Sequence, residues 1–129
     1  MLKLERIFYP EIHSSVNIQE EGSMEIENRF SLNVNFDNKN QKCISTFEIQ
    51  SVCKAHEDWF NVGVKIVGIF SCEKVDTDED KKQIHTESYD TLFPYAQSFI
   101  SELTTKAGMM PLILEKAPIN FGEVKITND

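Results

Sequence analysis

The stretch from Asp90 to Phe121 constrains the fold most, because it predicts one capped helix followed by one extended apolar arm. Asp90 or Thr91 is expected as the N-cap, with Pro94 in the opening turn, where its missing N–H costs little. Apolar side chains then recur at helical spacing as far as Gly108, a residue suited to the left-handed position after a helix. This stripe consists of Leu92, Phe93, Ala96, Phe99, Ile100, Leu103 and Ala107. Both ends of the helix are therefore marked in the sequence.

Four earlier segments carry the patterns of β-strands. Residues 2–9 alternate, and apolar side chains recur at strict period two over residues 30–36. Residues 37–40 form a turn cluster that predicts a hairpin into a third strand at 42–54, and a fourth strand follows at 59–72. Strands followed by one long helix predict an α+β fold, a four-stranded antiparallel sheet with the helix packed on it.

The segments between these elements are predicted to be irregular. Residues 10–28 are polar and acidic and predict a loop at residues 20–23, although Val16 and Ile18 could extend the sheet. The charged tract at 75–88 predicts a solvated linker, with a short helical turn as the alternative. Gly63 and Gly68 remove side chains in the middle of the fourth strand, which indicates a bulge or the close passage of another group.

Length and charge limit the class of protein. A chain of 129 residues predicts one domain, residues 1–129, and a net charge of −8 argues against partners such as nucleic acid or anionic lipid. No apolar run approaches the roughly 20 residues of a membrane-spanning helix, and the N-terminus has no signal-type apolar block. The sequence therefore predicts a soluble protein of the cytoplasm that favours basic or apolar partners.

No motif for catalysis, metal or cofactor binding stands out. The three cysteines form no Cys-x-x-Cys pair and are interpreted as small core residues: Cys43, Cys53 and Cys72. The three histidines fall in separate predicted loops and are interpreted as solvated: His13, His56 and His85. The acidic run at 76–80 lacks the turn glycine of a calcium-binding loop. We therefore predict a protein that is not an enzyme and needs no cofactor.

Four segments carry a resemblance to a known family. Leu92–Ala96 and Ala117–Phe121, on either side of a helix, a glycine and a Pro-Leu-x-Leu step, resemble the C-terminal half of SecB, the bacterial export chaperone. Leu4–Phe8 is similar to the first strand of that family, and Val67–Ser71 to its Gly-Ile-Phe strand. The four segments span most of the chain and occur in the family's order.

The resemblance implies a holdase that binds unfolded or non-native polypeptide in an apolar groove. Flexible methionines suit an adaptable groove of this kind, whereas the alternative is that the arm is ordinary core. The predicted client-binding groove consists of Met109, Met110, Leu112, Ile113, Leu114, Val67 and Ile69. In the family the main helix also packs between subunits. The apolar face of this helix is therefore expected to be buried either in the core of its own chain or in the contact of a homo-oligomer, a dimer or a tetramer. This helix face consists of Leu92, Phe93, Tyr95 and Phe99.

Two further implications concern partners. Glu11 matches the acidic patch through which SecB contacts the SecA motor, whereas Ser15, Asn61 and Gly63 stand where the family has Glu, Leu and Glu. The segment after Phe121 is predicted to lack the family's second helix. SecB-like proteins also serve as chaperones of antitoxins, so a dedicated adaptor for one partner is the alternative function.

Overall fold

Five strands and one long helix form the part of the chain that the computed structural model describes, which comprises residues 2–18, 24–73, 75–109, 112–116 and 125–128. The strands are β1 (Lys3–Val16), β2 (Ile26–Asp37), β3 (Lys42–Cys53), β4 (Phe60–Ser71) and β5 (Lys125–Asn128), and the helix is α1 (Asp78–Lys106). They form one sheet in the order β1-β4-β3-β2-β5, with β1 to β4 antiparallel and β5 parallel to β2. The predicted four-stranded antiparallel sheet with one helix is confirmed, and β5 was not predicted.

One face of the sheet forms the core because α1 covers it. Apolar side chains at every second position of β2, β3 and β4 point to this face, as the strict alternation predicts. The largest of them are fully buried: Phe36, Phe47, Phe60, Ile66 and Phe70. Ser45 on β3 and Ser88 on α1 are both buried, and their hydroxyls form a hydrogen bond of 2.7 Å across the core. We call the uncovered side the outer face.

The turn and the glycines behave as the sequence predicts. The backbone N–H and the side-chain amide of Asn40 donate to the carboxylate of Asp37, which stabilises the hairpin between β2 and β3. A Cβ atom at Gly68 would lie 3.0 Å from a methyl group of Leu92, so α1 can approach β4 only because no side chain is there. The predicted close passage over β4 is thus observed at this glycine.

The first strand is longer than the alternation over residues 2–9 predicts, and it includes Val16, which the sequence allowed as an extension of the sheet. The loop predicted at residues 20–23 lies outside the described residues. β1 continues to Val16, with irregularities between Leu4 and Arg6 and between Phe8 and Glu11. Each extra residue reverses the alternation of side chains, so the sequence pattern loses its period although the pairing with β4 continues. β1 lies at an edge of the sheet, which tolerates Pro10 and its missing N–H.

The helix begins thirteen or fourteen residues earlier than predicted. Thr77 is the N-cap, and its hydroxyl accepts a hydrogen bond of 3.1 Å from the backbone N–H of Asp80. Three acidic residues occupy the first turn, where the positive end of the helix dipole favours them. The predicted caps Asp90 and Thr91 and the linker prediction for 78–88 are therefore wrong, and Pro94 lies inside the helix on an exposed position.

The histidines also differ from the prediction of three solvated loop residues. His85 is fully buried in α1, where its Nδ1 donates to the carbonyl oxygen of Lys81 at 2.7 Å. His13 lies on β1, and of the three only His56 is in a loop. The ring of His56 stacks on that of Trp59, with 4.1 Å between the ring centres. Within the described residues, no helix is long and apolar enough to cross a membrane.

Candidate functional site

The arm that follows α1 is held by the end of the helix. Gly108 adopts a φ of +83°, and the N–H of Met109 then donates to the carbonyl of Thr104 at 3.1 Å. This left-handed ending is the one that the sequence predicts, and it turns the chain back toward the helix start. The hydroxyl of Thr104 is buried and accepts a hydrogen bond of 2.9 Å from the N–H of Leu112.

Two more contacts fix residues 112–116 along the helix. The side-chain amide of Gln97 donates to the carbonyl of Leu114 at 2.7 Å, and the ammonium of Lys116 pairs with the carboxylate of Asp90. Together with Thr104, these helix positions are seven residues apart, which places them on one face of α1. The arm therefore runs antiparallel to the helix, and its backbone is held by side chains of the helix.

The predicted groove residues of the arm alternate between core and solvent. Leu114 is 2% exposed and belongs to the core, whereas Ile113 is 65% exposed. Leu112 and Met109 are half-buried and pack against the core, and Met110 lies outside the described residues. Of the arm side chains that the structure describes, Ile113 offers the largest apolar surface to a partner.

Val67 and Ile69 do not join the arm in one groove. The hydroxyl of Ser45, the residue opposite Gly68 on β4, bonds to α1, so Val67 and Ile69 point to the outer face. There they meet Phe8, which is opposite Val67 on β1, and Ile44, which is opposite Ile69 on β3. Val67 and Ile69 therefore share the face of β4 that points away from α1 and the arm, so the residues predicted to line one groove lie on two separate surfaces of this chain.

These four side chains form an outer apolar patch. Phe8 and Ile44 are 38% and 41% exposed, Ile69 is half-buried and Val67 is 9% exposed. The guanidinium of Arg6 lies 5.3 Å from the centre of the Phe8 ring and borders the patch with a positive charge. Phe8 and Ile44 were not predicted as site residues. Ile44 shares its face of β3 with the polar residues Thr46, Glu48 and Gln50, which was a usable signal, whereas the irregularities of β1 conceal the face of Phe8.

The predicted helix face divides into two parts. Leu92 and Phe93 are buried in the core of their own chain and are not available to a partner. Tyr95 is 40% exposed, and Phe99 contacts the ring of Tyr9 on β1 at 4.9 Å between ring centres. With Pro94, these three aromatic residues line an edge groove of about 500 Å³ between β1 and α1. Partial burial is the larger cause, and the nearby Tyr95 the smaller one, that raises the pKa of Tyr9.

Glu11 lies in a network of charges on the outer face. Its carboxylate is 3.6 Å from the ammonium of Lys65, which also pairs with Glu48 at 3.2 Å. The hydrogen bond to Glu48 is the main cause that raises the pKa of Lys65. All three side chains are near solvent, so the network stabilises the fold little and leaves Glu11 accessible to a cationic partner.

The other positions of the predicted acidic patch carry a polar cluster. The ring of His13 covers Gly63, since a Cβ atom there would lie 2.5 Å from its Cε1. Its Nε2 bonds to the side-chain oxygen of Asn61 at 2.7 Å, and the amide of Gln50 donates to the same oxygen at 2.9 Å. Ser15 lies directly opposite Asn61 on β1. This surface is hydrogen-bonded and has no carboxylate at Ser15 and Gly63, the two positions where the family has Glu.

A family model and the curated relatives indicate one family. The family model for preprotein translocase subunit SecB matches residues 4–125. The protein-export protein SecB of Rickettsia akari is 26% identical over 95 residues, which covers 71% of this chain and 61% of that relative. SecB of Neorickettsia sennetsu is 35% identical over 60 residues, 46% of this chain and 35% of that relative.

Two solved structures share the fold. A SecB-like chaperone of Mycobacterium tuberculosis, in complex with a ChAD peptide from the HigA1 antitoxin, aligns with a TM-score of 0.71 and 16% identity, covering 88% of this chain and 86% of that one. A protein of unknown function from Streptococcus agalactiae aligns with a TM-score of 0.51 and 16% identity, covering 90% and 98%. At this identity the comparison establishes the fold.

Proposed function

The chain belongs to the SecB family, and from this premise we propose that it is a holdase that binds non-native polypeptide in the cytoplasm. The observation that carries the proposal is the arm beside α1, where Ile113 is 65% exposed while the backbone around it is fixed by the helix. An exposed apolar side chain on a fixed backbone binds with little loss of conformational entropy. The match covers 61% of the length of the Rickettsia akari relative, which is less than two thirds. The activity of that whole protein is therefore a proposal for this chain.

The mechanism is the burial of apolar client segments, and it needs no nucleotide. Burial of apolar surface contributes roughly 25 cal/mol per Å², so a few side chains on the arm and the outer apolar patch hold a client reversibly. The net charge of −8 keeps the loaded complexes apart and favours clients with basic segments. Binding of basic clients should therefore weaken as salt is added, while binding of neutral apolar clients should change little.

The test is suppression of aggregation. Light scattering follows the aggregation of several unrelated unfolding proteins with and without a molar excess of this protein. We expect a lower final signal for most clients, with serum albumin as the matched control for crowding by an acidic protein. An unchanged signal for all clients would exclude the holdase function.

A dedicated adaptor for one partner is the second candidate. The neighbour from Mycobacterium tuberculosis, which shares the fold, is seen with a peptide from an antitoxin, and that complex favours a partner of this kind. Affinity capture followed by mass spectrometry distinguishes the two functions. One stoichiometric partner supports the adaptor, whereas many clients that share only apolar segments support the holdase.

Contact with the SecA motor is a further proposal, and Glu11 alone supports it. Lys65 already neutralises part of the Glu11 charge, and Asn61 and Gly63 carry no charge at the positions beside it. We therefore expect the zinc-bearing tail of SecA to bind weakly. Calorimetry with that tail peptide tests this expectation, with Glu11→Gln as the variant that should abolish any heat signal.

We also propose that the protein forms a homo-oligomer, a dimer or a tetramer. β1 is a 14-residue edge strand that pairs with β4 alone among the described strands, and such an edge pairs readily with a second copy. The edge groove beside it exposes Tyr95, which supports a role for this side of α1 in the contact. Sedimentation at micromolar concentration should give at least twice the monomer mass, and Tyr95→Asp should shift the distribution toward monomer.

A further inference from the structure

The strands that the structure describes cover only part of the opposite edge of the sheet. β5 pairs with Asn33–Phe36 of β2, whereas Ile26–Leu32 have no partner on this side among the described residues. β5 has four residues and is parallel to β2, an arrangement that is slightly less stable per residue than antiparallel pairing. The chain thus closes this edge with a short strand that is weakly held.

The uncovered part of β2 lies next to the arm. Phe30 on β2 stacks on the ring of Tyr89 at 6.3 Å, and the ammonium of Lys116 lies 5.4 Å from the centre of the same ring. Phe30 is half-buried, so part of its ring is exposed among the described residues. A strand added beside β2 would therefore meet main-chain hydrogen-bonding groups and an apolar surface together.

We propose that this edge of β2 is a client subsite that takes an extended polypeptide segment by strand addition, and that β5 is its intramolecular competitor. The inference rests on the proposed holdase function, and in it β5 regulates the access of clients to one binding site. Main-chain hydrogen bonds recognise any extended segment, which suits unrelated clients, and the Phe30 surface favours apolar side chains. A client that extends beyond Leu32 must displace β5, whereas a short client does not.

The expected size of the effect follows from the competition. If β5 covers its part of the edge nine-tenths of the time, the apparent affinity for a long client is about tenfold lower than that of the open edge. The intramolecular tether gives β5 an effective concentration on the order of millimolar, so a short strand competes although few hydrogen bonds hold it. Removal of residues 125–129 should therefore strengthen binding of a long extended peptide about tenfold.

The probe is a labelled 12-residue peptide of alternating leucine and serine with lysine at both ends, and a six-residue version is the matched short client. Fluorescence anisotropy compares the full chain, the chain ending at residue 124, and the full-length variants Ile126→Pro and Thr127→Pro. One of these prolines must remove an N–H that faces β2, because N–H groups on a strand point alternately to either side. Ile126→Ala and Thr127→Ser keep every N–H and are the controls.

We expect the truncation and one proline variant to bind the long peptide about tenfold more tightly, with the short peptide and both controls unchanged. Hydrogen exchange on the full chain provides a second measurement that needs no variant. Adding the long peptide should speed exchange at residues 125–128 and slow it at Ile26–Leu32.

Equal affinities together with unchanged exchange at residues 125–128 would overturn the competition and leave the holdase function intact. Weaker binding after truncation would mean that β5 is part of the site, which also overturns it. If no form of the protein binds either peptide, this inference fails, whereas the holdase function fails only if the aggregation of all clients is also unchanged.

Discussion

Two adjacent positions of the arm beside α1 allow a prediction that separates client binding from the stability of the fold. Ile113 and Leu114 are adjacent, of equal size and on the same fixed backbone, but they are 65% and 2% exposed. Replacement of either by Asp introduces the same charge. The two variants should therefore differ only because one side chain points to solvent and the other to the core.

The magnitudes follow from this difference in exposure. Ile113→Asp should change the free energy of unfolding by no more than about 0.5 kcal/mol, as surface substitutions do. Leu114→Asp loses about 2 to 5 kcal/mol for the missing buried leucine and more for the buried charge. If a client buries the exposed part of Ile113, the substitution Ile113→Asp should cost about 1 to 2 kcal/mol of binding, or about 5- to 30-fold in Kd.

Urea denaturation followed by the fluorescence of Trp59 measures stability, and anisotropy with an unstructured apolar peptide measures binding. With an m-value of about 1.5 kcal/mol/M, Leu114→Asp should lower the midpoint by more than 1 M, whereas Ile113→Asp should leave it in place. Ile18→Asp is the control for loss of exposed apolar surface elsewhere, because Ile18 is 43% exposed and belongs to no proposed site. A large drop in midpoint for Ile113→Asp, or unchanged binding at an unchanged midpoint, would refute the assignment of the arm as a client site.

Three further predictions concern the fold. Gly68→Ala places a Cβ atom 2.9 Å from the ring of Phe70 and 3.0 Å from Leu92, so urea unfolding should show a loss of about 1 to 3 kcal/mol. Thr77→Ala removes the N-cap and should cost about 1 kcal/mol by the same measurement, with Thr77→Ser as the control that restores it. Burial is the largest cause, and the nearby Cys72 the second, that raises the pKa of the Cys43 thiol to about 12. Iodoacetamide at pH 8 should therefore modify Cys43 only in urea, which mass spectrometry of the peptides can measure. Because the folded pKa is the higher one, this thiol stabilises the fold below about pH 9, and that stabilisation should be lost between about pH 9 and 12.

The sequence predicts the parts of the fold that depend on neighbouring residues. The turn at Asp37, the alternation along β4 and the left-handed end of α1 at Gly108 all follow from local rules, and the structure has each of them. The start of α1 was missed for a local reason too. Polar residues such as His85 and Ser88 occupy buried positions of the first turns, so the apolar stripe is interrupted where the helix is already packed.

Features that depend on distant residues could not be predicted in this way. The bulges of β1 conceal its alternation, and they are visible only in the register against β4. β5 needs a parallel partner about 90 residues earlier in the chain, and four residues carry too weak a pattern to indicate one. For the proposed site, the sequence indicates an apolar arm but not which of its side chains are exposed, because that depends on the bonds of the arm to α1.

Those bonds explain how one short segment can serve both stability and binding. The helix holds the backbone of the arm at Leu112 and Leu114, two positions that lie two residues apart. A segment held at every second residue keeps an extended conformation, in which the side chain between the two must point the other way. Leu114 is therefore buried because the arm is part of the fold, and Ile113 is exposed for the same reason. The exposure of Ile113 is a consequence of the anchored arm, and a client that binds there needs no rearrangement of the core.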